Sequence, residues 1–135
     1  MENIKPSVLI VDDDQVYRFA ASKTIEATGF AQSVEECNNG LDALNFITHA
    51  IYSYSKLPDI IFLDINMPVM DGWEFLEAYS SIEPRLSRPI KIYIVSSSVD
   101  NNDILRSKKF NHVAGYVVKP VYKEKFSEIL RIPAP

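Results

Sequence analysis

Polar residues with related chemistry stand directly after several of the apolar runs in this sequence. Asp12, Asp13 and Asp14 follow the first run, and Asp64 follows a later one. One aspartate is enough to cap a following helix, whereas close carboxylates raise one another's pKa unless a cation neutralises them. Hard divalent cations prefer oxygen ligands. The acids therefore indicate a cation site, with helix capping as the alternative for the first three.

Ser96 and Lys119 follow two further apolar runs and add a hydroxyl and an ammonium group. A cation and a lysine can neutralise a phosphoryl group, and a hydroxyl can donate a hydrogen bond to one of its oxygens. An aspartate nucleophile is already ionised and needs no general base. His49 and His112 have no ligand-like spacing and are predicted to lie on the surface. The residues at the ends of the apolar runs thus indicate phosphoryl chemistry.

These polar segments can meet only if the ends of the apolar runs are brought together. Five short apolar runs alternate with segments of helical period, a pattern typical of βαβ units and a parallel sheet. We predict strands at residues 7–11, 32–37, 59–63, 91–95 and 115–118, with the polar second strand at a sheet edge. We predict helices at residues 15–28, 41–50, around 73–80, at 101–110 and at 122–131. Such a sheet binds ligands at the carboxyl ends of its strands, where the polar segments lie.

Length and composition limit the class of protein. The chain has 135 residues, of which 47% are hydrophobic and 24% charged, as is typical of one globular domain. It has 14 basic and 18 acidic residues, and the net charge of −4 disfavours direct binding of nucleic acid. The lone Cys37 excludes an internal disulfide and suits a reducing compartment. Because no membrane-spanning run or secretory signal is visible, we expect a cytoplasmic protein that does not enter a membrane.

Four motifs, in order along the chain, resemble the receiver domain of two-component response regulators. They are Val-Leu-Ile-Val-Asp-Asp-Asp at 8–14, Leu-Asp-Ile-Asn-Met-Pro-Val-Met-Asp-Gly at 63–72, Val-Ser-Ser at 95–97 and Gly-Tyr-Val-Val-Lys-Pro at 115–120. The resemblance covers about residues 7–131 and implies an α/β fold of the flavodoxin-like, doubly wound (βα)5 kind. Its five parallel strands would have the order 2-1-3-4-5, as in the chemotaxis receiver. It also implies a single receiver domain, residues 1–135, with no output domain in this chain.

The resemblance assigns roles to the acids of the pocket. Asp64 would be the phosphorylated residue. Asp13, Asp64 and the backbone carbonyl of Asn66 would bind Mg²⁺ (or Mn²⁺) directly. Asp12 would act on the cation largely through water.

The same resemblance implies how the phosphorylated protein signals. Ser96 would bond the phosphoryl group and Lys119 would pair with it. Tyr116 would then turn inward as Ser96 moves, and the surface that binds partners would change. The phosphodonor would be a histidine kinase or a histidine phosphotransfer protein, and the downstream target another protein. Such a protein is a switch rather than a turnover enzyme, and it is a monomer or a phosphorylation-dependent dimer.

Other functions remain open. A phosphorelay intermediate, or the receiver part of a longer protein, would have the same motifs. A Mg²⁺-dependent phosphohydrolase of the haloacid-dehalogenase type also has an aspartate nucleophile at a strand end, but it needs a second aspartate where this chain has Asn66. A flavin or nucleotide binder would need a glycine-rich phosphate loop, whereas the four glycines of this chain are scattered.

Overall fold

A five-stranded parallel sheet forms the centre of the computed structural model, which describes residues 4–53 and 57–131. The strands are β1 (Ser7–Val11), β2 (Ser33–Cys37), β3 (Ile60–Leu63), β4 (Lys91–Ser96) and β5 (Val113–Val118). The helices are α1 (Gln15–Thr28), α2 (Gly40–Ser53), α3 (Gly72–Ile82), α4 (Asn101–Ser107) and α5 (Lys123–Leu130), and a 3₁₀ helix, Glu83–Arg85, follows α3. The strand order is β2-β1-β3-β4-β5. The predicted flavodoxin-like, doubly wound fold and its order 2-1-3-4-5 are therefore confirmed.

The place of each strand in the sheet follows from its hydrophobicity. All five residues of β1 and all four of β3 are buried, as expected of central strands that helices cover on both faces. In β2 only Cys37 is buried, and Glu35 and Glu36 are exposed. The polar second strand lies at a sheet edge, as predicted, where its charges discourage pairing with another chain.

Two layers of helices cover the sheet. Side chains alternate along β1, so that Leu9 faces one apolar cluster and Val8 the other. The first cluster includes residues of α2 and α3, such as Phe75. The second includes Ile25 of α1 and Phe126 of α5. No helix in the described ranges has both the length and the apolarity needed to cross a bilayer.

Asp14 fixes the point at which α1 begins. Its carboxylate accepts hydrogen bonds from the backbone N–H groups of Val16 and Tyr17 at 3.0 and 3.1 Å, which is the usual arrangement of an N-cap. Capping therefore accounts for one of the three consecutive acids. Asp12 and Asp13 precede the cap and remain for the pocket.

The fourth helix is shorter than predicted. It ends at Ser107 rather than at residue 110, because Phe110 turns inward and stacks on Trp73 with ring centroids 6.3 Å apart. Arg106 also lies over the Trp73 ring, 4.5 Å from its centroid. The next strand begins earlier than predicted, at Val113, with a register shift in its pairing to β4. Both differences arise from contacts with distant elements.

The prediction that His112 lies on the surface is wrong, whereas His49 is exposed as predicted. The His112 side chain is 7% exposed, and its ring packs edge-on against the Tyr79 ring at 4.8 Å. His112 directly precedes β5, and its carbonyl accepts a hydrogen bond from the Ile92 backbone N–H. This pairing with β4 fixes the His112 backbone where its side chain contacts α3. Burial lowers the pKa of His112, although Glu83 lies 3.7 Å away and acts in the opposite direction.

Candidate functional site

Three carboxylates meet at the carboxyl edge of the sheet. β1 and β3 are neighbours, and the backbone N–H of Asp64 donates to the Val11 carbonyl at 2.9 Å, so the residues after the two strands lie side by side. One carboxylate oxygen from each of Asp12, Asp13 and Asp64 lies within 4.8 Å of the others. Asp12 and Asp64 are 2% and 8% exposed, whereas Asp13 is open to solvent. The pocket thus joins two buried acids to an accessible one.

Lys119 supplies the cationic side of this pocket. Its backbone N–H donates to the Ser96 carbonyl at 2.8 Å, so the ends of β4 and β5 lie together. The Lys119 Nζ is 2.8 Å from Asp12 Oδ2 and 3.9 Å from Asp64 Oδ1. The peptide bond that follows, to Pro120, is cis. The structure therefore brings the strand-end lysine and the three acids into one cluster.

The charge balance of the pocket is negative. Burial, and after it the neighbouring Asp12 carboxylate, raises the pKa of Asp64 to about 6. The Lys119 ammonium and the Ile65 backbone N–H, which donates to Asp64 at 2.9 Å, act in the opposite direction. Three carboxylates lie close to one ammonium group, so a net negative charge remains in the pocket. All the ligand atoms that the three acids offer are oxygens. These residues fit a hard divalent cation such as Mg²⁺.

Two residues of α1 contact the pocket although the sequence motifs did not single them out. Arg18 donates from Nη1 to the Asp12 carbonyl at 2.7 Å and from Nε to Glu36 at 3.1 Å. The Tyr17 ring lies against the Lys119 ammonium, with 4.1 Å between its centroid and Nζ. Burial, and then the pocket carboxylates, raises the pKa of Tyr17 to about 12. Tyr17 and Arg18 lie in the first turn of the helix that follows the acids, and this position was the feature of the sequence that could have predicted their contact with the pocket.

The loop between β3 and α3 is held tightly to the backbone of Asp64. The Gly72 N–H donates to the Ile65 carbonyl at 2.8 Å, and a Cβ on Gly72 would lie 2.5 Å from the Asp64 backbone oxygen. Only glycine permits this approach. Val69 has a φ of 69°, a left-handed conformation that is strained for a β-branched residue. Asn66 lies exposed in the same loop, two residues after Asp64.

Ser96 and Tyr116 connect the pocket to α4 through Ser98. Ser96 is buried at the end of β4, and its hydroxyl accepts a hydrogen bond from the Ser98 backbone N–H at 3.0 Å. The Tyr116 hydroxyl donates to the Ser98 carbonyl at 2.9 Å. The Ser98 hydroxyl in turn bonds Asp103 of α4 at 2.8 Å. Tyr116 is half-buried and packs against the first apolar cluster.

The strand order places this chain among the doubly wound α/β domains, and its acid cluster lies at the carboxyl edge where such domains bind ligands. The sequence profile of the response regulator receiver domain matches residues 8–131, so the chain belongs to this family. The family consists of phosphorylation-dependent signalling switches. Its members generally bind Mg²⁺ at an acidic pocket and interact with histidine kinases.

Several sequence relatives share only part of their length with this chain. It is 29% identical over 114 residues to the probable methanogenesis regulatory protein FilR2 of Methanothrix harundinacea, which covers 84% of this chain and 72% of that protein. It is 33% identical over 89 residues to the transcription regulator BvgA of Bordetella pertussis, covering 66% of this chain and 37% of that protein. It is 36% identical over 83 residues to the histidine kinase CKI1 of Arabidopsis thaliana, covering 56% of this chain and 7% of that protein.

Solved structures of response regulators match nearly the whole chain. A two component response regulator from Cytophaga hutchinsonii has a TM-score of 0.83 and 28% identity, covering 93% of this chain and 95% of that one. The chemotaxis response regulator CheY4 of Vibrio cholerae has a TM-score of 0.73 and 26% identity, covering 95% of this chain and 98% of that one. The receiver fold therefore extends over almost all of this chain.

Proposed function

We propose that this protein is a response regulator that accepts a phosphoryl group on Asp64 and signals by changing its protein-binding surface. The observation that carries the proposal is the cluster in which the carboxylates of Asp12, Asp13 and Asp64 lie within 4.8 Å of one another. Lys119 Nζ completes the cluster at 2.8 Å from Asp12. A carboxylate nucleophile, an oxygen cage for a cation and an ammonium group are what phosphoryl transfer to an aspartate requires.

Hydrogen bonding favours Asp64 over Asp12 as the acceptor. Both oxygens of Asp12 are engaged, one by the backbone N–H of Asp14 at 2.9 Å and one by Lys119. Asp64 Oδ1 accepts from Ile65, and Oδ2 has no hydrogen-bond partner among the described residues. One oxygen of Asp64 is therefore available to form a bond to phosphorus.

The acids around Asp64 suit a divalent cation. Asp13, Asp64 and the backbone carbonyl of Asn66 would hold Mg²⁺ or Mn²⁺, and Asp12 would act through a bound water. The cation, when bound, neutralises charge on the phosphoryl oxygens. The exposure of Asp13 gives the cation access from solvent.

In the transfer step, Oδ2 of Asp64 attacks the phosphorus of a phosphohistidine on a histidine kinase or a histidine phosphotransfer protein. The P–N bond breaks, and the imidazole leaves with the electron pair of that bond. The imidazole nitrogen then takes up a proton. Lys119 moves from Asp12 to pair with a phosphoryl oxygen, and the Ser96 hydroxyl donates to another. Later hydrolysis releases inorganic phosphate and restores the carboxylate, so the protein behaves as a switch rather than a turnover enzyme.

The hydrogen bonds of Ser98 suggest how the signal leaves the pocket. When Ser96 turns its hydroxyl to the phosphoryl group, it gives up the bond that it accepts from the Ser98 N–H. Ser98 also bonds the Tyr116 hydroxyl and Asp103 of α4, so its shift would move both. The readout would be binding of another protein to the receiver domain, which would act as a monomer or as a phosphorylation-dependent dimer.

Intact mass spectrometry after incubation with acetyl phosphate tests this function. We expect one added phosphoryl group on the wild type, only with Mg²⁺ present, and none on Asp64→Asn. Asp42→Asn, an exposed acid in α2, is the matched control and should be modified like the wild type. A phosphoryl group on Asp64→Asn would refute the assignment of the acceptor. Steady release of phosphate without an adduct would instead favour a hydrolase.

A further inference from the structure

The ammonium group of Lys119 contacts an aromatic ring and lies close to two carboxylates. We propose that Tyr17 is a positioning residue that holds the Lys119 ammonium at the mouth of the acidic pocket, ready to pair with a phosphoryl group on Asp64. The inference rests on the proposed function, because a positioned ammonium matters only if an anion forms beside it.

The Lys119 ammonium makes a cation–π contact and also lies close to two acids. The Lys119 Nζ lies 4.1 Å from the centroid of the Tyr17 ring, well within the limit of about 6 Å for such contacts. The same Nζ is 2.8 Å from Asp12 and 3.9 Å from Asp64. The Lys119 side chain is 21% exposed, although lysines ordinarily extend their ammonium group into water. The Tyr17 ring and the two carboxylates are therefore direct neighbours of a lysine side chain that is mostly shielded from solvent.

Tyr17 is itself held in place from two directions. Its backbone N–H donates to the Asp14 carboxylate at 3.1 Å, as part of the N-cap of α1. Its side chain packs against the second apolar cluster, as does that of Val121. A ring fixed in this way gives the flexible lysine side chain a rigid surface, so less conformational entropy is lost when Lys119 pairs with an anion.

Apolar packing alone does not explain an aromatic residue at this position. A leucine would keep an apolar side chain against the cluster, but it has no electron-rich face to attract a cation. Tyr17→Leu therefore removes the cation–π contact, whereas Tyr17→Phe keeps the ring face and removes only the hydroxyl. The two variants separate a positioning role from a packing role.

The experiment measures the initial rate of Asp64 phosphorylation by acetyl phosphate and Mg²⁺ in five proteins. The proteins are the wild type, Tyr17→Phe, Tyr17→Leu and Lys119→Ala, with the double variant Tyr17→Leu/Lys119→Ala. We expect Tyr17→Leu to lower the rate by about 3- to 10-fold, in line with a partly desolvated cation–π contact. Tyr17→Phe should retain the rate. In the Lys119→Ala background, Tyr17→Leu should have no further effect, because its action passes through Lys119.

A second readout does not depend on phosphorylation. The NMR signals of the Lys119 ε-methylene protons should be shifted upfield by the Tyr17 ring in the wild type and Tyr17→Phe, but not in Tyr17→Leu. An unshifted wild-type signal, or a rate loss in Tyr17→Leu that persists without Lys119, would overturn the inference. Failure of the wild type to form any adduct would overturn the proposed function and the inference with it. The ring-current shift would then show whether the contact itself was correctly assigned.

Discussion

Replacing Asp64 by asparagine should make the protein more stable at neutral pH when no divalent cation is present. The pKa of Asp64 in the folded protein is about 6, because the carboxylate is buried and lies beside Asp12. Its ordinary value is 3.8, and the difference, 6 − 3.8 = about 2.2, corresponds to about 3 kcal/mol at about 1.4 kcal/mol per pKa unit. Asparagine keeps the shape and can still accept from the Ile65 N–H. We expect Asp64→Asn to gain about 1–3 kcal/mol at pH 8, the full value being an upper limit.

The pH dependence gives this prediction its sign. Because the folded-state pKa is raised, the folded protein binds the Asp64 proton more tightly than the unfolded chain does. Ionised Asp64 therefore costs stability, and the cost grows as the pH rises from about 4 to about 6 and is complete above that range. The advantage of Asp64→Asn should accordingly be large at pH 8 and nearly absent at pH 4. Titration of the buried His112 affects both proteins equally and cancels in the comparison.

Urea unfolding at the two pH values, in the presence of a chelator, measures the difference in the free energy of unfolding. Glu77→Gln is the matched control, because it removes one negative charge from an exposed position on α3 and should change stability little at either pH. Added Mg²⁺ should stabilise the wild type more than Asp64→Asn, since a ligand that binds only the folded state adds to its stability. Equal stability of the two proteins at pH 8, or a gap of the same size at pH 4, would refute the reasoning.

Two predictions concern the loop that follows Asp64. Gly72→Ala should destabilise the protein by more than about 2 kcal/mol in thermal or urea unfolding, because the new Cβ meets the Asp64 backbone oxygen at 2.5 Å. Gly29→Ala is the control, because Gly29 has a left-handed φ of 74° but a Cβ added there would have no atom within 4 Å. A loss of stability at Gly29 comparable to that of Gly72→Ala would contradict the steric argument. Val69→Asn should stabilise the protein by about 1 kcal/mol, because asparagine tolerates the left-handed φ of 69° better than valine does. Val99→Asn is the control, because Val99 is about as exposed as Val69, and it should bring no such gain. A gain of the same size at Val99 would mean that replacing any exposed valine by a polar residue stabilises the protein, whatever its φ.

Much of the fold follows from local sequence patterns. Continuous apolar runs such as residues 7–11 fix which strands are central, and the polar Glu35 and Glu36 fix which strand lies at an edge. The convergence of Asp12 and Asp64 also follows from the sequence, because parallel strands end at the same edge. For these features, burial and pairing of each segment depend mainly on its own residues.

Contacts between distant segments could not be predicted in this way. The end of α4 depends on the stacking of Phe110 on Trp73, and the burial of His112 depends on its packing against Tyr79. The contact of Tyr17 with the pocket requires the packing angle of α1, which periodicity does not encode. Spacing along the chain identifies which residues share an element, whereas these contacts depend on how elements pack together.

The position of Trp73 gives this protein a built-in optical probe. It is the single tryptophan in the chain, and it directly follows Gly72, whose backbone approaches that of Asp64. Its indole ring meets Phe110 on one side and the Arg106 guanidinium at 4.5 Å. Indole emission responds to nearby charge and to the polarity of its surroundings, so a shift of α4 away from α3 changes the fluorescence without any attached dye. Any movement of α4 relative to α3 would therefore be detectable in real time by the intrinsic fluorescence of the unlabelled protein.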